Sequence, residues 1–451
     1  MASRRWARMI KAGVIASQND YHNINQALEL IEQNRVNGEL SAQNKAIKAR
    51  ILAAMPDQKS RVDSIALYEE LFRTNKPSAK QRLLLARLYE LTGQWSKCRE
   101  QMIAAMADAP NDRDLIATYV EMSLRHREFS DVSLFIDRLA KVAPNWDYVT
   151  AARGKLLVKQ GNVVKGVEII KSLVPKSITV SNVVSVREVA QLLAELQQYD
   201  EAEKLYRDYV AQKPDETRAL ANFLAISPNG DIHEVLELSE KDLDVSVPRR
   251  AEAIANALTA LRNHRVDIQP ADYELVESWI TKSLNDDPNS IAYTLQLAEL
   301  HDIQGHYDEA EANYRTVINT EGVTDTQLAI AENNLAYLLS LSGRNVDEAL
   351  ERIEDAILRL GPLPQLLDTR GMVYLALKQP ENARRDFSAA VTEDAGAMTY
   401  YHLALSEQAM GDRRAAARSF ESAKSHGFVD TNLSRLERSQ YDQLMQGISE
   451  G

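Results

Sequence analysis

Three groups of residues offer this chain its candidate chemistry. The single cysteine, Cys98, follows Trp95 by three residues in "LARLYELTGQWSKCREQM". A catalytic thiol needs a depressed pKa and a base beside it, and no histidine stands near Cys98 in the sequence. "HDIQGH" brings together His301, Asp302 and His306, a superficial metal-ligand set. Its histidines are five apart across Gly305, whereas paired helical ligands sit about four apart on one face. The pairs Asp200/Glu201 and Asp308/Glu309 have the composition of acid–base dyads. Each opens a helical run, where negative charge caps the helix and suits its dipole. No phosphate-cradling glycine loop, zinc-type Cys/His cluster or nucleophile elbow occurs. The expectation is a chain that is not an enzyme and binds neither metal nor cofactor.

The elements that would position these residues are helices. The 451 residues are 45% apolar and 26% charged, with only 17 glycines and 13 prolines, and Ala, Leu, Glu, Arg and Gln are good helix formers. A net charge of −12 disfavours nucleic acid, which needs clustered positive charge. One cysteine cannot form an intramolecular disulfide. At the N-terminus "MASRRWARMIKAGVIASQND" has a basic start, but Lys11 interrupts its short apolar patch, so no signal peptide is expected. No stretch reaches the ~18 apolar residues that span a bilayer. The compartment stays open, with the cytoplasm favoured.

An internal ruler organises the chain: a small or compact residue, another twelve positions later, then a bulky apolar residue four beyond that. It recurs at Ala86/Cys98/Met102, Val120/Val132/Ile136, Gly154/Gly166/Ile170, Ala190/Ala202/Tyr206, Ala298/Ala310/Tyr314, Ala336/Ala349/Ile353, Gly371/Ala383/Phe387 and Ala404/Ala416/Phe420. Only the sixth set is stretched by one residue, within "SGRNVDEAL". Each unit reads as two helices broken at a glycine such as Gly93, Gly161, Gly305, Gly343 or Gly411. Small residues let the two helices approach, and the bulky residue fills the flanking groove. A lone hairpin buries too little surface, so neighbouring units must stack. Cys98 thereby becomes a packing residue at a position that alanine fills in five other units.

These residues resemble the tetratricopeptide repeat family over roughly residues 79–214 and 251–425, with a degenerate unit near 46–77. "LAELHDIQGHYDEAEANYRTVI" and "LAELQQYDEAEKLYRDYV" match it best. The resemblance implies an all-α fold, a right-handed superhelical solenoid of antiparallel helix pairs. The expected divisions are an N-terminal helical region 1–78, a first block 79–225, an irregular seam 226–250, a second block 251–427, and a capping helix and tail 428–451. Pro228, Asn229 and Gly230 suggest a turn in the seam and Pro248 a further disruption. Extra length is expected around "RVDIQPADY" before a helix at 271–285. In the last segment, Leu433, Leu436, Tyr441 and Leu444 fall roughly on one side of a helix.

In the family, first helices line a concave channel through fixed places in each unit. Carried over place by place, the resemblance gives Lys80, Leu83, Arg87, Ala117, Glu121, Tyr148, Lys155, Lys159, Arg187 and Gln191 in the front half. In the rear half it gives Leu295, Glu299, Asn333, Tyr337, Asp368, Met372, Tyr401 and Leu405. The partner-binding candidates are Arg87, Lys155, Lys159 and Arg187, a basic front suited to an acidic segment, with Asn333, Tyr337, Met372 and Tyr401 behind. The Lys, Asn and Arg set with which some family members hold chaperone C-termini is missing. The expected function is a non-catalytic scaffold binding a peptide or protein in its groove. A second reading is the regulatory or substrate-recruiting arm of a larger enzyme or of an envelope or secretion assembly. A third is self-association through end helices.

Overall fold

The computed structural model describes residues 2–16, 21–55, 57–179, 181–264, 268–393 and 396–449. Among them there is no β-strand, only an isolated bridge between Val36 and Glu39. In chain order the helices are α1 Ala2–Ala16, α2 Tyr21–Glu32, α3 Ala42–Ala53, α4 Gln58–Thr74, α5 Ala79–Leu91, α6 Trp95–Asp108, α7 Arg113–Arg125, α8 Val132–Val142, α9 Asp147–Lys159, α10 Val163–Lys171, α11 Val183–Glu195, α12 Tyr199–Gln212, α13 Thr217–Ile226, α14 Ile232–Glu240 and α15 Val247–Asn263. They continue with α16 Pro270–Asp286, α17 Ile291–Gln304, α18 Tyr307–Ile318, α19 Asp325–Ser342, α20 Val346–Leu360, α21 Pro364–Ala376, α22 Pro380–Glu393, α23 Ala397–Ala409, α24 Arg413–Ser425 and α25 Arg435–Ser449.

They fall into two compact units. One holds residues 78–86 and 95–286. The other holds residues 1–77, 87–94 and 287–451. In the second unit the N-terminal helices do not stand apart from the C-terminal repeats: α2 packs on α20, and Arg61 of α4 ion-pairs with Glu393 at the end of α22.

The small residues of the ruler are buried in every unit, and so are the bulky ones apart from Tyr206. Tyr206 is half-buried and stacks on Phe223, ring centroids 4.8 Å apart, while Tyr209 one turn on takes the enclosed place. A tight backbone approach joins α9 to α10. A Cβ on Gly154 would lie 2.8 Å from the carbonyl oxygen of Gly166, and one on Gly166 would lie 2.7 Å from that of Gly154. At Gly371 the missing Cβ leaves room for the ring of Phe387, whose Cζ would otherwise be 2.7 Å away.

Between the helices of each pair, the residue seven places after the first small one is left-handed in all eight units. It is Gly93, Gly161, Gly305, Gly343 or Gly411 where glycine was expected, and Arg127, Gln197 or Lys378 elsewhere. Those three side chains accept a conformation costing roughly 1–2 kcal/mol, so the turn is imposed by the packing of the helices it joins. In the stretched unit the extra residue is taken up by a second left-handed position, Asn345 after Gly343.

Cys98 is fully buried, its sulfur 3.9 Å from the Met122 sulfur. Cys98→Ala should therefore cost on the order of 1 kcal/mol and a bulky replacement about 1–3 kcal/mol through overpacking. Thiol reagents should label the folded chain only as fast as it opens, which timed labelling with and without urea will show.

The stretch expected to be an irregular seam is mostly helical. Pro228 to Gly230 do form the turn, Gly230 lying so close to Leu224 that a Cβ would meet its carbonyl carbon at 2.8 Å. Beyond the turn α14 packs on α13 and α15. Pro248 breaks nothing: it sits in the first turn of α15, capped by Ser246, where its missing N–H is not needed. Of "RVDIQPADY", residues 265–267 lie outside the described residues, and α16 starts at Pro270.

Candidate functional site

The sequence candidates for chemistry are absorbed by packing and pairing. Glu201 accepts from Lys171 at 2.6 Å and from Lys204 at 3.2 Å, and these cations hold its carboxyl below the usual range. Asp308 pairs with Arg344 of the next hairpin at 2.7 Å. His301 and His306 have ring centroids 6.2 Å apart, and His301 Nδ1 lies 3.1 Å from the side-chain amide of Asn313. Among the described residues no group of three His, Cys, Asp or Glu side chains is placed to hold a metal ion.

The front candidates are charged side chains on first helices. Arg87 on α5, Lys159 on α9 and Arg187 on α11 are exposed, and Arg187 lies over the ring of Tyr209 at 5.6 Å. Lys155 is half-buried and ion-paired with Glu121 of α7 at 3.1 Å, and Tyr148 donates to the carbonyl oxygen of Ala117 at 3.1 Å. Adjacent first helices are thus linked through the very places carried over as lining. Arg87 belongs to the other compact unit from Lys155, Lys159 and Arg187.

Of the rear candidates, Met372 and Tyr401 are buried, and Asn333 and Tyr337 are half-buried. Met372 packs with Phe387 and Leu403. Tyr401 is fully buried beside Phe428, Leu433 and Leu444. Asn333 is half-buried, its amide donating to Asn334 at 3.1 Å. Tyr337 donates its hydroxyl to Glu437 Oε1 at 2.7 Å, and burial against Glu437 drives its pKa well up. What covers Tyr337 and Tyr401 is the chain's own C-terminal segment. α25 packs on α23, α24 and α19, with Leu433 and Leu444 buried and Tyr441, Met445 and Ile448 partly so. Beside Leu436 of α25 an open cavity of about 510 Å³ remains, lined by His306, Tyr307, Leu341 and Arg344 among others.

At the centre of this face lies a charged cluster. His402 of α23, 2% exposed, directs Nδ1 to both carboxylate oxygens of Asp368 on α21, at 3.0 and 2.9 Å. Its Nε2 faces Glu437 Oε1 at 3.9 Å, an ion-pair distance too long for a hydrogen bond, and has no hydrogen-bond partner. Glu437 itself is buried. Its Oε2 accepts from the backbone N–H of Ser434 at 2.8 Å, and the Ser434 hydroxyl accepts from the Glu437 N–H at 3.4 Å, a capping box that starts α25. Burial pulls the His402 pKa down, but Asp368 and Glu437 outweigh it and raise it to about 9. Burial pushes Glu437 up, and His402, Ser434 and Tyr337 outweigh that and hold it at about 2. Near neutral pH His402 is therefore an imidazolium facing the Glu437 carboxylate, with Asp368 on its other side.

The lining places carried over from the resemblance found Tyr337 and Asp368 but put Tyr401 where His402 performs the pairing. Glu437 was missed altogether. Its sequence signal was the Ser-x-x-Glu spacing of Ser434 and Glu437 at the head of an amphipathic run.

Small-residue helix pairs turned at a left-handed residue make each compact unit a set of antiparallel helical hairpins of tetratricopeptide-like form. No family model matches the chain, and no curated protein matches it. Solved structures aligned with it include yeast Tom70, at 14% identity over 91% of this chain and 96% of that one with a TM-score of 0.36. They also include the Cut9–Hcn1 hetero-tetramer of APC/C, at 13% identity over 99% and 91% with a TM-score of 0.38. A third is a thermophilic tetratricopeptide repeat protein of Thermus thermophilus, at 17% identity over 39% and 92% with a TM-score of 0.33. At these scores the likenesses carry no argument, and the architecture rests on the helices themselves. Among the described residues no helix is long and apolar enough to cross a membrane.

Proposed function

We propose that the chain is a non-catalytic scaffold that binds a protein or peptide segment along the faces of its first helices. The observation that carries this reading is the face under α25, where first helices α19 and α23 present Tyr337 and His402, the latter held by Asp368 of α21, to a helical segment. That arrangement is a binding mode, helix on groove, with an intramolecular ligand. The potential catalytic groups support it from the other side, since Cys98 is sealed in a packing position and Glu201 and Asp308 of the paired acids are ion-paired with Lys171 and Arg344.

In the other compact unit, Lys155, Lys159 and Arg187 stand on neighbouring first helices and suit an acidic segment. Lys155→Glu with Lys159→Glu should weaken capture of partners in native extract by about tenfold, roughly 1.4 kcal/mol, as read by crosslinking and quantitative mass spectrometry. Unchanged recovery of every partner would remove the basic face from the proposal. The divisions into a first block 79–225 and a second block 251–427 are kept as a proposal about which repeats act together.

A further inference from the structure

We infer that Tyr337, Asp368 and His402 form a carboxylate-binding cradle for an acidic helical segment of a protein partner, and that α25 is its intramolecular occupant, displaced when the partner binds. The inference rests on the scaffold reading above and deepens it.

Three observations converge on it. First, most of the cradle exists without α25. Asp368 holds His402 through Nδ1, which leaves Nε2 and the Tyr337 hydroxyl as two donors directed at one point on the face. An imidazolium balanced by one partly buried carboxylate, with a phenol beside it, is a receptor for a further carboxylate. Asp368 acts here as a positioning residue: it fixes the ring and keeps it charged.

Second, the present occupant fits imperfectly. Glu437 reaches Tyr337 at 2.7 Å but stays 3.9 Å from His402 Nε2, and that nitrogen, in a residue 2% exposed, has no hydrogen-bond partner. A buried donor left unmade is costly. Glu437 is divided between tasks, since its second oxygen caps α25 through Ser434. A carboxylate free of the capping duty can bond to both donors at once.

Third, α25 is seated mostly through partly buried side chains. Of its own residues only Glu437 and Leu444 are buried, and the chain reaches it through left-handed Gly427 and a single 3-10 turn, Asp430–Asn432. The open cavity beside Leu436 leaves room for a segment bulkier than α25 at its start. A buried charge cluster is a poor choice for stability, because apolar side chains of equal size hold as well or better. It does discriminate, since a segment lacking the carboxylate would strand His402 opposite nothing.

The test uses the full chain and a fluorescein-labelled peptide of residues 434–449, followed by anisotropy. In the full-length variant Leu433→Ala, Glu437→Ala, Leu444→Ala, α25 is released and the peptide should bind at least tenfold more tightly than to the wild type. The gain should disappear when the peptide carries Glu437→Gln, and when the released chain also carries His402→Gln or Tyr337→Phe. Equal binding of the Glu and Gln peptides, or equal binding to wild-type and released chains, overturns the inference. Should the released variant fail to fold, amide exchange of α25 in the wild type with millimolar peptide decides. Faster exchange supports displacement, and unchanged exchange overturns it. A concentration-dependent wild-type dimer that vanishes in the released variant would make a second copy of the chain the occupant and overturn a separate partner. Loss of the cradle result with the Lys155/Lys159 effect intact sinks this inference alone, because those lysines belong to the other compact unit.

Discussion

Gly166→Ala should destabilise the α9/α10 hairpin by about 1–3 kcal/mol, even though the same exchange inside an exposed helix gains roughly 0.8–1 kcal/mol. The sign is decided by what the added methyl meets. At Gly166 a Cβ would stand 2.7 Å from the Gly154 carbonyl oxygen and 2.9 Å from the backbone nitrogen of Val158. These are backbone atoms of a helix already hydrogen-bonded along its length, so they cannot swing aside as a side chain would, and the two helices must part. Parting them opens the packing of Ile170, which is fully buried, and lost contact adds to the steric cost. Gly13 in α1 is the control: a Cβ there meets nothing within 4 Å, so Gly13→Ala should stabilise by roughly 0.5–1 kcal/mol. Because a repeat array need not unfold in one step, amide exchange localised to α9 and α10 is the proper readout. Protection in α9 and α10 as strong as in the wild type would show that the ruler does not set helix spacing.

That contrast shows what was legible in the sequence. The ruler names pairs of residues that must be small for helices to touch, and the touching is visible at Gly154 and Gly166. Length-wise breaks were legible where glycine marks them, and illegible at Arg127, Gln197 and Lys378, whose left-handed backbone is forced by flanking helices and leaves no trace in residue type. Proline misled at Pro248, because a helix start and a helix break use the same residue.

The face under α25 was only partly legible in the sequence, for a physical reason. A repeat register predicts which side of a helix faces the groove, and so it reached Tyr337 and Asp368. It cannot predict what later lies on that side. α25 was legible as an amphipathic helix from Leu433, Leu436, Tyr441 and Leu444, but its seat over α19 and α23 follows from a cluster whose members lie on four different helices. Tyr401, an anchor candidate when the groove is taken as open, becomes a wall of the seat once α25 is in place.

His402→Leu is expected to be the most damaging single change on that face, at about 3–5 kcal/mol, because it leaves buried Glu437 and partly buried Asp368 with no cation between them. The wild type should show the same dependence as a function of pH. The groups facing His402 are Asp368 from α21, Glu437 from α25, Tyr337 from α19, and the rings of Phe387 from α22 and Tyr401 on its own helix. With its folded pKa raised to about 9 against an unfolded value near 6.5, His402 contributes stability that is fully present below about pH 6.5. That contribution falls through the interval above it and is lost as pH passes about 9. Glu437, held at about 2 against about 4.3 in an unfolded chain, contributes stability that is full above about pH 4.3 and is lost as pH falls through 2. The two describe one coupled cluster and must not be added. Docking of α25 is therefore strongest between about pH 4.3 and 6.5 and weakens toward pH 9 and beyond by the share of the His402 shift that Glu437, not Asp368, supplies. Amide protection of α25, corrected for intrinsic exchange, should trace that decline, and His402→Gln should flatten its alkaline limb. An imidazole NMR titration of His402 with a midpoint at or below 6.5 would mean that Asp368 and Glu437 do not hold the proton, and the cluster would then lose its part in seating α25.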